Sequence, residues 1–169
     1  MINFNRLSKN FGLLETLVLS SLLYVIIMLS WTASTRSAVE DKANLIKSNH
    51  KQVVDFINNQ VNSCDKNKSG STVWGELCKD NWSSIKIVKY ILDNSNLKNP
   101  YSVDKDLIQS SEDPRIQAEG KAGQSIDKGI IFVSSSDFNS EPGSEWIIGT
   151  CVKSPCVAAG NNELVSVYR

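Results

Sequence analysis

The residue with the most chemistry to explain is a carboxylate inside an apolar run. Glu15 interrupts residues 11–31, FGLLETLVLSSLLYVIIMLSW, whose length as a helix matches a bilayer core. A charge in such a span costs about 3 kcal/mol on insertion scales, so it needs either water or a partner. The plainest solution is a signal-anchor helix in which Glu15 sits near the headgroups and reaches water.

Four cysteines, Cys64, Cys78, Cys151 and Cys156, all follow that span. If the span sends the rest of the chain across a membrane, they lie where disulfides persist. Four cysteines allow three connectivities. The local pairing of Cys64 with Cys78 and of Cys151 with Cys156 is preferred, and closing a loop of roughly fifteen residues is worth about 3 kcal/mol on the chain-entropy model. Zinc is the rival use, but no C-x-x-C pair occurs and the one histidine, His50, stands on another segment.

A third constellation follows Cys64. Asp65, Asn67, Ser69 and Glu76 occupy positions 1, 3, 5 and 12 of a calcium loop, with Gly70 at the turn. Alternating hard oxygens can wrap Ca²⁺, and a Glu at the twelfth position can close the site. Against this, Thr72 stands at the apolar anchor position, and Lys66 and Lys68 add positive charge. The alternative is a polar hairpin-like loop stapled by the flanking cysteines, with no cofactor. Asp137, Asn139 and Glu141 form a looser acidic group further on.

Other chemistry is thin. His50 falls on a helical apolar stripe and reads as a packed residue. Ser134, Ser135 and Ser136 have no His or Lys pairing signature, and no glycine-rich phosphate loop is present, so no enzyme is expected. The chain carries 18 Lys and Arg against 18 Asp and Glu. Without a basic excess, a nucleic-acid partner is not expected, and Trp74, Trp82 and Trp146 read as core or rim rather than a stacking platform.

The elements that position these groups follow from the hydropathy pattern. Residues 1–10 are short and polar, and Arg6 and Lys9 favour an N-in orientation, although Arg36, Lys42, Lys47 and Lys51 follow the span. A cleaved secretory signal fits poorly, because the apolar run is too long and only a weak small-residue site follows Trp31. Residues 33–61 contain no Pro or Gly. Val39, Ala43, Ile46, His50, Val53, Val54, Ile57 and Val61 recur at helical spacing there. One helix of about fifty residues is therefore predicted, roughly 75 Å at 1.5 Å per residue. Residues 82–93 read as a short helix. Residues 96–126 read as irregular loops, with room for a short strand and a turn at Asn99-Pro100-Tyr101. Residues 129–134, 145–151 and 163–168 read as strands of an antiparallel meander packed on the amphipathic half of the long helix.

The run Phe11-Gly12-Leu13-Leu14-Glu15, behind a short basic leader and ahead of the apolar stretch, resembles the class III signal of type IV prepilins. The resemblance covers residues 6–31. It implies cleavage by a prepilin peptidase between Asn10 and Phe11, N-methylation of Phe11, and pairing of Glu15 with an N-terminal amine in an assembling filament. Asn10 stands where the family usually carries Gly, Gly12 where a small hydroxyl residue is common, and Thr32 where many major pilins carry Pro. The implied architecture is a pilin-like α+β fold. Its parts are a leader (1–10), a transmembrane and filament-core helix (11–32), an amphipathic helical half (33–63) and a globular sheet domain (64–169). The implied partners are other pilins, the membrane and its assembly machinery, with an inner-membrane location before assembly and an extracellular pilus after it. The alternative is a single-pass anchored periplasmic accessory or binding domain that does not polymerise.

Overall fold

The computed structural model describes residues 12–102, 104–120, 128–135 and 145–169. Asn10 and Phe11, the leader and the Asp137, Asn139 and Glu141 group lie outside the described residues. The elements in chain order are α1 (Leu13–Lys66), α2 (Ser84–Asn94), β1 (Ile108–Ser110), α3 (Pro114–Glu119), β2 (Ile131–Ser135), β3 (Glu145–Cys151) and β4 (Asn162–Tyr168). The fold is α+β, a long N-terminal helix packed on a four-stranded, mostly antiparallel sheet. The chain divides into two compact units, one ending at Glu40 and the other spanning Asp41–Arg169.

In the second unit, the inward stripe of α1 forms one wall of the core. Ala43, Ile46, Val53, Val54, Ile57 and Val61 pack with Ile131, Val133, Trp146, Ile148 and Val167 of the sheet. Helical spacing puts these side chains on one face of α1, and strand alternation puts Trp146 and Ile148 on one face of β3. Val39, the first residue of the predicted stripe, is instead exposed and lies in the first unit.

The sheet order is β1-β2-β3-β4. The three predicted strands form the antiparallel part, with Val133 opposite Ile148 and Ile148 opposite Val165. The fourth strand, β1, corrects the simple meander: it pairs parallel to β2, with Gln109 opposite Phe132. Its three residues are too few to show a period of two in the sequence. The second helix starts at Ser84, and Trp82 precedes it as a buried loop residue whose indole N–H donates to the Leu77 carbonyl.

The third helix lies within residues 96–126, where loops with a short strand are expected. Asp113 caps it by accepting from the N–H groups of Arg115 and Ile116, and Pro114 takes a first-turn position that needs no N–H donor. This helix packs on the sheet face opposite α1. A Cβ on Gly149 would stand 2.6 Å from the Pro114 carbonyl and 3.0 Å from Ala118 Cβ, so only glycine lets helix and strand approach this closely. The predicted turn at Asn99-Pro100-Tyr101 is present. Asn99 Oδ1 accepts from the Tyr101 N–H at 2.9 Å, and the Tyr101 hydroxyl donates to the Val152 carbonyl at 2.6 Å.

Candidate functional site

The first unit carries the apolar face. One helix in the described residues is long and apolar enough to cross a membrane, and its most apolar eighteen-residue window is not buried within the chain. Leu17, Leu23, Ile26, Leu29 and Trp31 are all more than half exposed. Its hydroxyls are satisfied locally. Ser20 donates to the Leu17 carbonyl at 2.9 Å, Ser21 to Val18 at 2.8 Å, Ser30 to Ile26 at 2.8 Å and Thr32 to Leu29 at 2.9 Å. Side chains that return their hydrogen bonds to their own helix make no demand on water, which suits a segment bathed in hydrocarbon.

Glu15 remains as the charged side chain of this stretch, and the structure gives it a local role that sequence reasoning missed. Its Oε2 accepts from the Gly12 backbone N–H at 2.9 Å. That N–H is one of the donors a helix leaves unpaired at its start, and a carboxylate three residues on is favoured there by geometry and by the helix dipole. The signal was legible, since Gly12 followed by Glu15 has the spacing of the return arm of a capping box.

At the other end of α1, the loop after Cys64 is closed by covalent and polar bonds. Cys64 pairs with Cys78 and Cys151 with Cys156, with Cα–Cα distances of 5.2 and 5.3 Å. Both are the preferred local pairings, and their presence accounts for all four cysteines. Between Cys64 and Cys78 the chain makes a small hairpin. Ser71 bridges Leu77, the Thr72 N–H donates to the Glu76 carbonyl at 2.7 Å, and Gly75 turns at a φ of 89°. That positive φ explains the glycine.

The four calcium-loop residues are engaged in different ways. Asp65 is exposed in the last turn of α1. Asn67 Oδ1 accepts from the Ser69 hydroxyl at 3.0 Å. Glu76 turns away into the domain: its Oε2 accepts from Trp74 Nε1 at 2.8 Å and from the Ser83 N–H at 3.0 Å, while Oε1 pairs with Lys86 Nζ at 3.0 Å. Burial alone would raise the Glu76 carboxyl, but the Lys86, Ser83 and Trp74 hydrogen bonds outweigh it and hold it below its ordinary value. A cation at this carboxylate would have to displace three protein donors. Among the described residues, no group of three or more His, Cys, Asp and Glu side chains is placed to hold a metal ion.

His50 is buried between α1 and the sheet, and its Nε2 donates to the Ile148 carbonyl at 3.1 Å. Burial draws its pKa below 6.5, opposed by that carbonyl and by the charge of Glu163. Beside it, Lys47 Nζ pairs with Glu163 Oε1 at 3.1 Å, tying α1 to β4. Trp82 and Trp146 are both core residues, as expected.

No protein-family model matches the chain, and no curated protein or solved structure matches it either.

Proposed function

We propose that the chain is a type IV pilin-like subunit, with a structural rather than a catalytic role. The observation that carries this reading is the first part of α1. Between Gly12 and Thr35 the only charged side chain is Glu15, and the apolar residues around it are unburied within the chain. Such a surface requires lipid or other helices around it. The subunit would wait in the inner membrane, be cut before Phe11 by a prepilin peptidase and pass into a bundle of N-terminal helices. A new amine at Phe11 supplies a cation for a carboxylate in a medium of low dielectric. Two disulfides suit a head exposed outside the cell.

The test is Glu15→Ala. The substitution removes the carboxylate but leaves the apolar span, so membrane insertion is retained while recovery in sheared filaments is lost. Filaments that incorporate the variant at the wild-type level would remove Glu15 from assembly.

A second reading, a single-pass anchored periplasmic accessory or binding domain, is favoured by Asn10 in place of the usual Gly. The Gly12 N–H also supports it, because it gives the Glu15 carboxylate a partner within its own chain. On that reading Glu15→Ala changes neither location nor assembly.

A further inference from the structure

A cavity of about 280 Å³ lies over the Cys64–Cys78 disulfide, lined by Asp65, Lys68, Lys79 and Arg169 with the two cysteines. Three cations and one carboxylate line it, and with the nearby Asp80 carboxylate, which also acts on Arg169, the local balance is one positive charge. Among the described residues, neither Lys68 nor Lys79 is in an ion pair. Such lysines are commonly just solvated, so Arg169 decides the matter.

Arg169 is held in place. Its guanidinium lies 4.3 Å from the centre of the Trp82 ring, and its Nη1 donates to the Asp80 carbonyl at 2.8 Å. Trp82 is itself buried and fixed by its bond to Leu77. An arginine stacked on an immobile ring keeps its fork of donors in one orientation. Nη1 has its partner in Asp80, and among the described residues the other guanidinium donors have none. Burial lowers the Arg169 pKa, against the pull of Asp65 and Asp80.

We propose that this cavity binds a phosphate monoester, with Arg169 as the oriented fork and Lys68 and Lys79 as the flanking charges. A tetrahedral oxyanion can meet all three cations and accept several hydrogen bonds at once. The cavity has room for the phosphate and part of the group that carries it. The disulfide beneath holds the Lys68 and Lys79 segments together, so the site is assembled before the ligand arrives. This inference does not rest on polymerisation and holds for an anchored domain as well.

The experiment is a titration of the full chain in detergent micelles with inorganic phosphate at pH 8 and constant ionic strength, read by calorimetry. Saturable binding is expected, weakened roughly tenfold or more by the double variant Lys68→Gln, Lys79→Gln. Asp65→Asn removes the opposing carboxylate and tightens binding several-fold, a gain that a folding defect does not produce. The exposed pair Lys51→Gln, Lys89→Gln, away from the cavity, leaves affinity unchanged. Glycerol phosphate and phosphatidic-acid vesicles separate the sources: binding of the first alone marks a soluble ligand, and capture by the vesicles marks a lipid headgroup. Absence of saturable binding in every arm overturns the proposal. Equal affinity of wild type and the Lys68, Lys79 variant, or an equal loss in the Lys51, Lys89 control, overturns it too.

Discussion

Replacing Glu76 with Gln isolates one carboxylate in the hairpin after α1, and its cost follows from the three donors it faces. The amide is nearly isosteric. Its oxygen in the Oε2 position keeps the Trp74 and Ser83 bonds, and its NH₂ then faces Lys86. A hydrogen bond to a charged acceptor is worth about 1.5–3 kcal/mol and to a neutral one about 0.5–1.5, so two bonds weakened by about 1 kcal/mol each give roughly 2 kcal/mol. The Lys86 pair adds little, because the Lys86 side chain is 62% exposed and screened by water. About 2 kcal/mol corresponds to a fall in Tm of roughly 6–12 °C for a domain of this size. The pH dependence fixes the cause. The folded carboxyl titrates below its unfolded value of about 4.3, so its stabilisation is complete above that pH and is lost as the pH falls through the folded pKa. Thermal melts of wild type and Glu76→Gln should therefore differ at pH 7 and converge near pH 3. Equal melts at pH 7, or a gap undiminished at pH 3, would refute the bonding scheme. Millimolar calcium that raised the Tm of wild type but not of the variant would also refute it, by returning Glu76 to the metal loop.

His50 gives a second acid response. Its folded pKa lies below the unfolded 6.5, so stability is full above that pH and declines as the pH drops through the folded value; His50→Gln, which keeps a donor for Ile148, should flatten the Tm profile between pH 7 and 5. Gly149→Ala drives a methyl against the Pro114 carbonyl and Ala118, and should cost about 1–3 kcal/mol of unfolding free energy, seen as a lower urea midpoint.

The parts legible in the sequence were those set by local pattern. The stripe from Ala43 to Val61 located the buried face of α1, since helical spacing alone selects it. The strands at 145–151 and 163–168 stood out as β-prone runs bounded by turns. Local cysteine pairing held because each pair is separated by a short segment. The misses have physical causes. The parallel pairing of β1 with β2 is set by contacts between segments distant in sequence. The third helix, six residues long, is too short for periodicity, although Asp113-Pro114 announced its start. After Cys64 the sequence left a metal loop and a polar hairpin open, because a spacing does not say which way a side chain turns; the Glu76 side chain is directed to Trp74 and Lys86. Glu15 needs a partner, and the Gly12–Glu15 spacing, that of the return arm of a capping box, already points to the Gly12 N–H that meets the need.

Whether the apolar part of α1 serves assembly can be read at the amino terminus. Intact-mass and N-terminal peptide analysis should be run on protein from native membranes and from sheared filaments. A chain beginning at methylated Phe11 is expected in the filament fraction, with Asn10 accepted at the cleavage site. A chain that still begins at Met1 and is confined to the membrane would contradict it and establish the anchored domain instead.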